Sequence, residues 1–125
     1  MKRVITVLVG LIMIAGAFGH VFSPETYVAM IPAFIPSAPA NILAAIIEFI
    51  IGLALLHLTY SKYGGLGFAA LMIAFIPIHV FDLFRDHPVV GSKAIAIGRL
   101  AIQFVLIYTG WWIYKLPQAK QEMMQ

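Results

Sequence analysis

Apolar residues fall in four long blocks along this chain, at residues 4–22, 40–60, 64–84 and 94–114. A helix crossing ~30 Å of hydrocarbon needs about 20 mostly apolar residues, and each block is about that long. The pattern predicts an all-α protein, an integral membrane four-helix bundle. It forms a single transmembrane domain over residues 1–125, and what lies outside the spans is too short for a soluble domain. Lys2 and Arg3 ahead of the first block, with Ala15-Gly16-Ala17 inside it, resemble a secretion signal and its cleavage site. The apolar run is long for a signal core, so an uncleaved first helix is expected.

The stretch between the first two spans is not plain linker. Ser23-Pro24-Glu25 reads as a helix start, with a hydroxyl at N-cap, proline at N1 and an acid in the first turn. The helix is expected to end near Met30 or Ile31, because Pro32, Pro36 and Pro39 follow. Tyr27, Val28, Met30 and Ile31 are too apolar for a free loop. The segment should lie in the membrane interface or fold back over the bundle as a lid. Pro77, inside the third span, should bend it and free a backbone carbonyl near Ile73.

Composition agrees with the block pattern. Hydrophobic residues make up 62% of the chain and charged residues 10%, against roughly 45–50% and about 25% in soluble domains. That excludes a soluble enzyme and a disordered chain. There is no cysteine, which removes disulfides, thiol catalysis and thiolate metal sites. No basic tract with interleaved aromatics is present, so nucleic acid is not an expected partner.

Positive charge sets the expected orientation. With the N-terminus inside, Lys2, Arg3, Lys62, Lys115 and Lys120 lie on the inner side, and only Arg85 and Lys93 on the outer side. Both termini should then be cytoplasmic, in a bacterial-type cytoplasmic (inner) membrane. Trp111, Trp112 and Tyr114 would anchor the inner interface, as would Tyr60 and Tyr63 at the inner turn.

Polar side chains in hydrocarbon are costly and need partners, so those inside the spans are the candidate site. Glu48 lies in the second span, with Asn41 seven residues earlier on the same face. His79 and Asp82 share a face of the third span, Arg99 and Gln103 share one of the fourth, and His20 ends the first. In the expected orientation all seven fall in the outer half of the bilayer, which predicts one buried polar cluster. Plain structural readings stand beside this. Glu48 and Arg99 would form an ion pair locking helices together; Asp82 would pair with His79, Arg85 or Lys93; His20 would sit among lipid head groups. His57 and His87 fall outside the cluster, Met13, Met30 and Met72 read as packing, and Gly52, Gly98 and Gly110 as points of close helix contact. No metal site is expected.

In this order the motifs resemble the DoxX-like family of small four-helix membrane proteins. The resemblance runs through Ala15-Gly16 and His20, then Pro24, Tyr27, Met30-Ile31-Pro32 and Pro36. It continues through Glu48-Phe49-Ile50-Ile51-Gly52-Leu53, Phe75-Ile76-Pro77, Arg99-Leu100, Gln103 and Trp111-Trp112. His79 stands where the family often has asparagine. The resemblance implies the four-helix fold and association with membrane redox systems. The leading expectation is a non-catalytic accessory or assembly subunit of a membrane complex, in contact with another membrane protein or a second copy. The alternative is a quinone-binding subunit, with His20, His79, Arg99 and Gln103 as donors to quinone carbonyls and Glu48 and Asp82 as proton relays. Proton or small-molecule transport, and a haem held by His20 and His79, are weaker readings.

Overall fold

The computed structural model describes residues 2–115; Lys120 lies outside them. Five helices follow one another: α1 (Lys2–Phe22), α2 (Pro24–Val28), α3 (Ser37–Leu56), α4 (Ser61–Leu83) and α5 (Lys93–Lys115), and no strand occurs among the described residues. The four long helices have 20 to 23 residues, enough to cross a bilayer. At most 33% of the apolar window of any of them is buried inside the protein. The rest, including Ile12, Phe22, Ile50, Phe104 and Val105, faces outward. So much exposed apolar surface would be untenable in water, and the chain is a multi-pass membrane protein.

Helix ends depart from the apolar blocks for local reasons. The helix α3 starts at Ser37, ahead of Pro39, because a proline in the first turn loses only an N–H that has no helical partner there. It stops at Leu56, where the extended His57 ends it and Arg3 donates to the carbonyls of Leu55 and Leu56 at 3.1 and 2.6 Å. A cation there also suits the negative end of the helix dipole. Gly64 and Gly65 belong to α4 itself, and a side chain on Gly64 would stand 2.8 Å from the Leu55 backbone nitrogen. The α3–α4 turn is therefore tight. The short helix α2 starts behind Ser23 as expected, but the Ser23 side chain makes no capping bond, and the helix ends at Val28.

The bundle consists of two antiparallel pairs, α1 with α3 and α4 with α5, joined where α3 meets α4. Glycine brings each pair close. A Cβ on Gly52 would lie 2.9 Å from the Gly10 carbonyl, and one on Gly65 would lie 2.8 Å from the Gly110 carbonyl. Gly98 differs from the expectation: nothing lies within 4 Å of its Cβ position, so it faces away from every helix. The apolar core of Met13, Ile51, Leu55, Phe68, Leu71, Met72 and Ile113 fills the half of the bundle nearer the termini. At that end Lys2 lies over Trp112, Lys62 over Tyr114 and Lys115 over Trp111, each 5.3 to 6.0 Å from the ring centre. The far half is packed differently.

Candidate functional site

In the far half, a cavity of about 360 Å³ lies between the helix pairs. Its walls are mostly apolar, with Ala44 and Ile47 from α3 and Ala74, Phe75 and Ile78 from α4. Tyr27, Met30, Ile31 and Ile35 roof it, so the segment around α2 folds over the bundle. Five of the seven polar candidates reach this one space: His20, Asn41, Glu48, His79 and Arg99.

His20, Asn41 and Glu48 form a chain across α1 and α3. The Cα–Cβ bonds of a helix tilt toward its N-terminus. In an antiparallel pair His20 therefore leans toward the termini and Glu48 leans toward the far end, and the two meet. Asn41 and Glu48 are two helical turns apart, about 10.5 Å along the axis, and the imidazole bridges them. Its Nδ1 lies 2.5 Å from Asn41 Oδ1, while Asn41 Nδ2 donates to the His20 carbonyl at 2.8 Å. That second bond fixes the amide orientation, so Nδ1 carries a hydrogen and donates to Oδ1. Its Nε2 lies 3.1 Å from Glu48 Oε2, at ion-pair distance though not in line for a hydrogen bond.

Two glycines of α1 make room for this. A Cβ on Gly16 would stand 3.1 Å from Glu48 Oε2, and one on Gly19 would collide with the Tyr27 hydroxyl at 2.5 Å. The Tyr27 ring lies over the His20 ring, with centres 3.8 Å apart and planes tilted by 32°. Tyr27 thus closes the site above His20, a role its place in an apolar loop did not specify.

Across the cavity, Arg99 is half-buried and donates from Nη1 to Gln103 Oε1 at 3.0 Å. The ion pairs among the described residues are His20–Glu48 and Arg85–Asp82, so the expected Glu48–Arg99 pair is not formed. The reason is position: α5 packs on α4, and α1 supplies the nearer partner to Glu48. Gln103 is fully buried and turned from the cavity, its Nε2 donating to the Met72 carbonyl at 2.8 Å. That carbonyl is one residue before the one left without its helical donor by Pro77. His79 lines the cavity and makes no hydrogen bond to another described residue.

Asp82 does not reach the cavity. It is 1% exposed, accepts from the backbone of Val89 and Val90 at 2.8 and 3.5 Å, and lies 3.7 Å from Arg85. It holds the α4–α5 loop, and the expected His79–Asp82 bond does not form. Arg85 in turn donates to the carbonyls of Ala29 and Met30 at 2.9 and 3.4 Å, tying the roof to α4. Lys93 donates to the Leu83 and Arg85 carbonyls at 3.0 and 3.1 Å. Arg3, a topology charge in the sequence, and Arg85 and Lys93, expected also as partners for Asp82, each satisfy carbonyls at a helix or turn end.

The arrangement can hold a small lipophilic molecule and offer its polar end hydrogen bonds from Arg99 and His79. The volume lies at the lower end of the range for such sites, roughly 300–1,000 Å³. His20 is not free to ligate a haem iron, because both its ring nitrogens already face a partner. Residues 8–114 match the family described as "Domain of unknown function (DUF8561)", and the chain belongs to that family. No curated protein and no solved structure matches it.

Proposed function

We propose that this member of the DUF8561 family is a non-catalytic membrane subunit that holds a lipid-soluble small molecule in its far-half cavity. The observation that carries the reading is the apolar cavity itself, with polar groups from four helices on its wall. An integral membrane site of this kind is reached from the bilayer by a molecule dissolved there. The chain has no cysteine to carry electrons, and His20 and Glu48 face each other beneath the Tyr27 ring. Chemistry on the bound molecule then belongs to a partner. The resemblance to DoxX-like proteins favours a membrane redox assembly and makes a quinone the first candidate to test, its carbonyls accepting from Arg99 and His79.

The membrane we assign is a bacterial-type cytoplasmic membrane with both termini in the cytoplasm. The support is the excess of Lys2, Arg3, Lys62 and Lys115 at the end that holds the termini. The outward face of α5, with Ile97, Phe104 and Tyr108 exposed, is where another membrane protein or a second copy has room to dock.

Native mass spectrometry of protein gently extracted from its own membranes tests the binding role. The expected result is a stoichiometric small-molecule adduct, absent from Ala44→Phe, whose ring would fill the cavity. A folded protein that carries no adduct would overturn the binding role. If it then carries a second polypeptide in fixed ratio, the assembly role stands alone and the polar cluster is structural.

A further inference from the structure

The charge balance of the cavity points to the head group of its occupant. Arg99 stays protonated under any physiological condition and stands on a membrane-spanning helix, about 9 Å from the start of α5 at 1.5 Å per residue. Its hydrogen-bond partner is the neutral Gln103 amide. The guanidinium has five N–H donors, and this bond takes one.

None of the chain's five acids compensates that charge among the described residues. Glu48 has His20, not Arg99, as its ion-pair partner, at 3.1 Å. Asp82 is taken by Arg85 and two backbone N–H groups. Glu25 on α2 and Asp86 in the α4–α5 loop are exposed and outside the cavity wall, and Glu122 lies outside the described residues. Arg99 therefore stands on the cavity wall with no acid in ion-pair reach, and His79 lines the same wall as a further donor. A charge taken out of water without a counter-charge is costly. A neutral quinone would accept a hydrogen bond from Arg99 and leave its charge in place. An anion would remove the imbalance and take a charge-assisted, two-pronged bond.

Resting on the reading that the cavity binds a lipophile, we infer that its occupant is a single-chain amphiphile with an anionic head, a carboxylate or phosphate. The head sits on Arg99 and His79. The chain lies along Ala44, Ile47, Ala74 and Phe75, and about 360 Å³ leaves room for one slender chain.

The test is competition for radiolabelled oleate on the purified, delipidated full-length protein in a neutral detergent. Unlabelled competitors are oleate, oleyl phosphate, oleyl alcohol and decylubiquinone. The expected result is that oleate or oleyl phosphate competes about ten- to a hundredfold better than the alcohol or the quinone. The order of the two anions tells carboxylate from phosphate. The preference should vanish in Arg99→Gln, survive in Arg99→Lys, and all competition should weaken in Ala44→Phe. If Arg99→Gln fails to fold, the preference measured on the wild-type protein still decides.

Decylubiquinone or oleyl alcohol competing as well as oleate would overturn the anionic head while leaving the binding role intact. Oleate binding that ignores Ala44→Phe would also overturn it, because the anion would then be a surface lipid touching Arg99 from outside. If no probe binds and the natively extracted protein carries no adduct, the binding role falls with it.

Discussion

Replacing Gly110 by alanine should destabilise the bundle, and replacing Gly98, on the same helix, should not. A Cβ on Gly110 would stand 2.7 Å from both the Ala69 nitrogen and the Gly65 carbonyl oxygen, and 3.0 Å from the Ala69 Cβ. Ordinary contact between such atoms is about 3.5–4.0 Å. Two of the three obstacles are backbone, so no side chain can turn aside and α4 and α5 must part. Overpacking of this kind costs about 1–3 kcal/mol. Parting the helices also strains the Gln103–Met72 bond of 2.8 Å, two turns away in the same pair. At Gly98 nothing lies within 4 Å. There the change brings only the helix preference of alanine over glycine, at most about 1 kcal/mol. That preference applies equally at Gly110, so the two variants should differ by about 1–3 kcal/mol, with Gly110→Ala the less stable. Unfolding by sodium dodecyl sulfate in mixed micelles reads this directly, since Trp111 and Trp112 are both on α5. A Gly110→Ala protein as stable as the wild type, or a Gly98→Ala protein as weak as Gly110→Ala, would refute the packing argument.

Two further outcomes are expected. Gln103→Leu removes the side-chain donor to the Met72 carbonyl and the acceptor of Arg99, and should cost about 1–3 kcal/mol in the same unfolding assay. An unchanged midpoint would mean that the buried amide contributes nothing. A C-terminal green fluorescent protein fusion should fluoresce and a C-terminal alkaline phosphatase fusion should be inactive, because both termini are assigned to the cytoplasm; the opposite pattern would invert the topology.

Much of the architecture was written locally. Four apolar blocks of the right length dictate four spans, because a chain in lipid must satisfy its backbone within each helix. Ser23-Pro24-Glu25 and the prolines after it marked α2 for the same kind of reason: proline tolerates a helix start and opposes a continuation. The depth of each polar residue was legible too, since depth follows from counting along a helix. That grouped His20, Asn41, Glu48, His79, Asp82, Arg99 and Gln103 before any packing was known, and five of them line the cavity while Asp82 and Gln103 do not.

Partnership was not legible. Depth says nothing about which way a helix is turned or which helix lies beside it. Glu48 and Arg99 look like an ion pair in the sequence, yet α3 packs on α1 through Gly10 and Gly52, and α5 packs on α4 through Gly65 and Gly110. Those two close seams decide that Glu48 meets His20 and that Arg99 reaches the cavity wall with no acid in ion-pair reach. The same seams give Gly110 a neighbour and leave Gly98 with none. Span and depth are properties of one helix in a bilayer and follow from its own sequence. The rotation of each helix about its axis is set by how closely its backbone can approach another, and that exists only in the folded bundle.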